Sequence, residues 1–95
     1  MIHLERSDHV AIIRIDRPER MNCFDYPTLV ELQQLVTTVR HDPTIRVVIF
    51  TGTGKAFSAG ADLKERVTLN ETEVRRNVEM IRDVFADIAR LPQPT

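Results

Sequence analysis

The chain has one cysteine, three glycines, no tryptophan and no apolar run approaching the length of a membrane span. A single cysteine excludes an intrachain disulfide and fits a reducing compartment. Without a long apolar run there is no membrane-crossing helix, and an N-terminus that carries Glu5 and Asp8 does not read as a signal peptide. Charge of neither sign is in excess. The formal net charge of −1 leaves no basic surplus, so bulk electrostatics suggests no nucleic-acid partner. The three histidines, His3, His9 and His41, fall in a strand, a turn and a helix end without metal-ligand spacing, so no metal is expected. These absences leave a soluble cytoplasmic protein as the default expectation. What is present, 95 residues with 42% hydrophobic and 28% charged, suits one small domain or part of one, with a core of modest size.

The order of elements follows from pattern. Ile2 to Arg6 and Val10 to Asp16 read as two strands around a Ser7-Asp8-His9 turn, an antiparallel hairpin. Asp25 is placed to cap a helix that tolerates Pro27 in its first turn, and Leu29, Leu32, Val36 and Val39 recur at helical spacing until Asp42-Pro43. Arg46 to Thr51 is apolar on consecutive positions, as expected of a strand covered on both faces in a parallel arrangement. Strand, helix, strand implies a right-handed crossover. Two overlapping cap patterns, at Thr68-Leu69-Asn70-Glu71 and Asn70-Glu71-Thr72-Glu73, precede a long amphipathic helix marked by Val74, Val78, Ile81, Val84, Phe85, Ile88 and Leu91 and stopped by Pro92. Its charged positions read most simply as a solvated face, the alternative being that Met80 and Phe85 extend the apolar stripe into a partner surface. The fold class is α/β.

All three glycines stand in one stretch, Thr51-Gly52-Thr53-Gly54-Lys55-Ala56-Phe57-Ser58-Ala59-Gly60-Ala61-Asp62-Leu63-Lys64, directly after the apolar strand. Glycine with small neighbours at Ser58, Ala59 and Ala61 allows unusual backbone angles and close approach to something bound, and aims backbone N–H groups at it. A glycine loop after a strand is more often only a turn. The upstream run Asp16-Arg17-Pro18-Glu19-Arg20-Met21-Asn22-Cys23 alters that balance.

Taken together and in order, the two runs resemble the N-terminal part of the crotonase family, the enoyl-CoA hydratases and isomerases, and the likeness covers essentially all of residues 1–95. The resemblance implies a crotonase-like ββα spiral, of which this chain would hold the N-terminal portion only. It also implies an acyl-CoA enzyme of fatty acid metabolism, a lyase that hydrates a 2-enoyl-CoA to a 3-hydroxyacyl-CoA. No cofactor is held permanently, and coenzyme A enters as part of the thioester substrate. By the same likeness the backbone N–H of Ala61 is one donor of an oxyanion hole, and the coenzyme lies against Ala59 to Lys64, with Ala61, Asp62 and Leu63 between, and against Cys23. Glu19 departs from relatives that are basic just after the proline, so Arg20 or Lys64 is expected to meet a phosphate instead. The second oxyanion donor and the acid/base glutamates belong to later parts of the family sequence, so the 95 residues alone are expected to be inactive. The tail Leu91-Pro92-Gln93-Pro94-Thr95 resembles the segment just before the next strand. Trimers or pairs of trimers are the family's usual assemblies. The alternatives are another reaction of the family, such as enoyl-CoA isomerisation, or a catalytically silent binding or assembly module.

Rival motifs fit less well. A phosphate loop would need glycine at Ile49 and Ser or Thr at Ala56, and a dinucleotide fingerprint would need glycine at Phe57. Ala56-Phe57-Ser58-Ala59-Gly60 is similar to a nucleophile elbow, but Ser58 lies several residues beyond the strand and every histidine precedes it. Lys55 reads as a solvated loop lysine. Asp62 is a carboxylate in a loop, a type that more often accepts local N–H bonds than performs catalysis. Cys23, with no histidine near it in sequence, reads as a small buried residue rather than a nucleophile.

Overall fold

The computed structural model describes residues 1–95. A three-stranded sheet of order β1-β2-β3 is formed by β1 (Ile2–Ser7), β2 (Val10–Ile15) and β3 (Val47–Gly52). Strands β1 and β2 pair antiparallel through a two-residue turn, with Asp8 at φ 56°, and β2 pairs β3 in parallel. The parallel pairing requires a crossover, supplied by α1 (Tyr26–Arg40). A single 3-10 turn, Pro18–Arg20, leads into it, and α2 (Leu63–Val67) and α3 (Glu71–Ala89) follow β3.

Helix α1 starts where expected. The Asp25 side chain accepts the Thr28 N–H at 2.9 Å, and Pro27 sits in the first turn, where its missing donor costs nothing. Its stripe of Leu29, Leu32, Val36 and Val39 is fully buried, each side chain stabilising the fold by about 1.5 to 3 kcal/mol relative to exposure. The stripe meets Ile2, Ala11, Ile13, Ile15 and Val48 from the sheet, and Val84 and Leu91 from the α3 side, in one core. Of the two cap patterns before α3, Asn70 is the one used. Its side chain accepts the Glu73 N–H at 2.8 Å while Glu73 Oε1 accepts the Asn70 N–H at 3.1 Å, a reciprocal box.

One expectation is corrected. Strand β3 is covered on one face only: Val48 is fully buried, whereas Val47 and Ile49 are 37% and 45% exposed. The register explains it, since Val10, Ile12 and Arg14 stand beside Val47, Ile49 and Thr51 on the face away from α1, and residues 1–95 place no helix there. A run of apolar residues signals a strand made for two covered faces, and these residues provide one cover. The stripe on α3 is likewise only partly used, with Val84 buried, Val78 half exposed and Phe85 at the surface in edge-to-face contact with Phe24. At the chain end, Gln93 Nε2 donates to Val39 O at 2.9 Å, and Val48 N–H donates to Pro94 O at 2.9 Å, which starts a pairing on the outer edge of β3.

Candidate functional site

The two runs singled out in the sequence are interlocked in space. Met21 and Asn22 both take left-handed backbone angles, φ 54° and 55°, which turn the chain so that the Asn22 side chain enters the glycine loop. Asn22 is fully buried there. Its Nδ2 donates to Thr53 O at 2.8 Å and Ala56 O at 2.7 Å, and its Oδ1 accepts the Arg17 N–H at 2.7 Å. One amide side chain thus satisfies three main-chain groups that would otherwise be buried unpaired. Gly52 is required by space rather than angle, because a Cβ there would lie 2.5 Å from Phe57 O and 2.6 Å from Ala56 O.

The second lock is ionic. Asp62, 5% exposed, caps α2 by accepting the Glu65 N–H at 3.1 Å. It also receives Arg20 at 2.6 Å and the buried Arg17 at 3.4 Å, while Arg17 reaches Asp25 at 3.3 Å and Cys23 O at 2.6 Å. Burial pushes the Asp62 carboxyl up, but the Glu65 amide, the Arg20 charge and Arg17 together outweigh it and hold the group below its ordinary range. Burial, reinforced by the Asp62 charge, raises the Cys23 thiol against the opposing pull of Arg17 and Arg20, so it stays protonated and poorly nucleophilic at neutral pH.

The third lock is a short β-bridge that isolates one amide. Phe24 pairs in parallel with Ala61: the Phe24 N–H donates to Gly60 O at 2.7 Å, and the Asp62 N–H donates to Phe24 O at 2.9 Å. In a parallel pair the residue between two such bonds turns its own N–H to the opposite edge. Ala59 N–H donates to Met21 O at 2.9 Å and Gly60 N–H to Ser58 Oγ at 3.0 Å. The Ala61 N–H alone among these consecutive amides has no acceptor in the protein. Gly60, at φ 91°, makes the turn that sets it there.

Of the other expected residues, Ala59, Leu63 and Lys64 are exposed. Arg20 keeps donors free beyond its pair with Asp62 and its side chain is 31% exposed. Cys23 is buried, its N–H donated to Arg20 O at 3.1 Å and its carbonyl taken by Arg17, which leaves that oxygen one lone pair. Ser58 is spent on the Gly60 amide, and no histidine approaches it: His3 pairs with Asp16 at 2.9 Å, His9 with Thr44 O at 2.9 Å, and His41 caps α1. A nucleophile elbow is thereby excluded on geometry. Arg17 and Asn22, the residues that hold the loop, lie in the run of residues 16–23, where neither their type nor their spacing signals that role. The one concave groove, lined by Gln33, Arg82, Asp83, Ala86, Asp87 and Arg90 on α1 and α3, lies away from the loop.

The chain is thus an α/β unit, strand-helix-strand, whose glycine loop leaves one main-chain donor unpaired. Residues 5–95 match the enoyl-CoA hydratase/isomerase family. The crotonyl-CoA hydratase of Syntrophomonas wolfei is 36% identical over 94 residues, which cover 98% of this chain and 36% of that protein. A crystal structure of an enoyl-CoA hydratase from Bacillus anthracis superposes with a TM-score of 0.94 at 43% identity, over 98% of this chain and 37% of that one. A monofunctional enoyl-CoA isomerase from M. smegmatis is similar at a TM-score of 0.76 and 35% identity, again over 98% of this chain and 37% of that one. The chain belongs to the enoyl-CoA hydratase/isomerase family, with the crotonase fold. It spans about a third of the length of the curated relatives it matches.

Proposed function

We propose that the chain supplies half of an oxyanion hole for a coenzyme A thioester, with the Ala61 N–H as its donor. The observation that carries this reading is the unpaired Ala61 amide between neighbours that are all bonded. When water adds to the β-carbon of a 2-enoyl thioester, the electron pair of the double bond moves toward the carbonyl and negative charge collects on its oxygen. A donor already fixed in place stabilises that charge without reorganisation, at about 3 to 4 kcal/mol for one such group. Asn22, Phe24 and the Arg17–Asp62 pair supply the fixing. Ala61 itself needs only to be small, so that the thioester can lie against the backbone.

Within this reading the coenzyme runs along Ala59 to Lys64 and past Cys23, with Arg20 and Lys64 as the cations for its phosphates. Hydration of a 2-enoyl-CoA is the reaction the hydratase relatives support, and the isomerase neighbour is the reason isomerisation stands beside it, since one fold hosts both. Acid and base are assigned to none of the glutamates in residues 1–95, so this piece alone hydrates no crotonyl-CoA. A homo-oligomer of trimeric type accords with the family resemblance. The second reading, a silent assembly module, is favoured by the exposed Val47 and Ile49 face.

Calorimetric titration with crotonyl-CoA and with free coenzyme A separates the readings. Tighter binding of the thioester, lost when an ester bond replaces the Ala61 amide, is expected of the oxyanion role. Equal affinity for both ligands, unchanged by the ester, refutes it, and no binding of either leaves the assembly reading.

A further inference from the structure

Helix α2 has five residues and buries none of its side chains: Leu63 and Val67, one turn apart, are 68% and 86% exposed. A helix so short does not hold itself together, and this one has no apolar face on the core to compensate. It nevertheless begins two residues after Ala61, so its position bears, beside the Phe24 bridge, on the direction in which the Ala61 amide points. Something polar must fasten it.

Asp62, paired with Arg17 and Arg20, holds its first turn, and Glu65 holds its body. One carboxylate oxygen, Oε2, accepts the Tyr26 N–H at 3.1 Å, one of the orphan donors at the start of α1. The other, Oε1, accepts Asn77 Nδ2 from α3 at 2.9 Å. Asn77 is buried, in the middle of a helix face otherwise apolar, and Arg76 beside it stacks over the Tyr26 ring at 4.0 Å. The single carboxylate therefore ties α2 to two long helices that are themselves anchored in the core. Both of its oxygens are engaged in this way, which suits a strap rather than a group that exchanges protons with a substrate.

We infer that Glu65 is a positioning residue for the oxyanion amide: it straps α2 to the start of α1 and to Asn77, and so holds the Ala61 N–H in its outward direction. The inference rests on the Ala61 reading above. The buried Asn77 Oδ1 has no partner, and this gives the strap a distinctive signature. A glutamine at 65 still offers one oxygen to Tyr26, and its NH2 meets Asn77 Oδ1 once the Asn77 amide turns over, so both ties are rebuilt without charge. An acid/base role would be abolished by that same substitution.

The test compares the 95-residue chain with its Glu65→Ala and Glu65→Gln variants in two measurements. In amide hydrogen exchange, E65A is expected to speed exchange at Tyr26, Asp62 and Arg66 about tenfold while Ile13 and Val48 are unchanged, and E65Q to match the parent. In titration, E65A is expected to narrow the preference for crotonyl-CoA over free coenzyme A about tenfold, and E65Q to retain it. Unchanged exchange in E65A overturns the strap. Equal damage in E65A and E65Q also overturns it, because charge and not bonding geometry would then be at issue. A parent chain that does not prefer the thioester overturns the Ala61 reading and the positioning role with it, while the exchange data still decide whether Glu65 fastens the helix.

Discussion

Substituting alanine for Gly52 and for Gly60 separates two reasons for which a loop needs glycine. At Gly52 an added Cβ would stand 2.5 Å from Phe57 O, 2.6 Å from Ala56 O and 2.7 Å from Asn22 Nδ2. Two of these atoms are backbone and the third belongs to the side chain that bonds Thr53 O and Ala56 O, so none can yield alone. Overpacking of about 1 to 3 kcal/mol, with two strained or broken hydrogen bonds at about 1 kcal/mol each, gives a loss of roughly 3 to 5 kcal/mol. At Gly60 the Cβ meets nothing within 4 Å, and only the positive φ of 91° opposes it, worth about 1 to 2 kcal/mol. A chain of this length has roughly 5 to 14 kcal/mol of stability in all, so the first loss is a large fraction and the second is not. Urea denaturation of the parent and both variants, read as midpoint shifts at constant slope, should place G52A about 1 to 4 kcal/mol below G60A. Equal midpoints would refute the argument from space.

Three further outcomes follow from the site and the sheet. The folded Asp62 carboxyl lies below its unfolded value, so its contribution to stability is present above the unfolded pKa of about 3.9 and is lost as pH falls through the folded one; Asp62→Asn should flatten the acid limb of a stability profile below about pH 4 and leave its neutral shape alone. Cys23, buried and with its thiol raised, should react with iodoacetamide at pH 8 far more slowly than a free thiol and accelerate in urea, and fast native labelling would contradict its placement under Arg17. Val48→Ala should cost about 2 kcal/mol and Ile49→Ala less than half of that, although isoleucine is the larger residue, and a reversal in thermal unfolding would mean that β3 sits in the other register.

How much of this was legible beforehand depended on the distance over which each feature is decided. Helix caps are local, so Asp25 could be placed from the sequence and the start of α3 narrowed to two overlapping patterns, of which the structure uses Asn70, and the buried stripe of α1 followed from spacing alone. Strand limits shifted by a residue, β3 running to Gly52, because the ladder partner and not the strand's own composition ends it. Helix α2 was not foreseen, since Leu63 to Val67 is too short for a periodic signal and owes its form to Asp62, Glu65 and their distant partners. The open face beside Val47 and Ile49 was unreadable for a related reason: consecutive apolar residues state what a strand is suited to, and the cover comes from other segments. Family likeness singled out Ala61 as a donor, but the cause of its freedom, a one-residue bridge to Phe24, appears only when segments far apart in sequence meet.

That bridge makes the site a late event in the life of the molecule. Phe24 and Ala61 come together only when the intervening helix α1 and strand β3 have closed back against β2, so the chain meets the entropic cost of a long loop before a single donor is oriented. No local segment of the sequence, released from the rest, would carry a partial version of the grip. The proposed thioester binding should therefore rise and fall with the folded fraction itself, and its affinity in mild denaturant becomes a gauge of whether the whole crossover is closed.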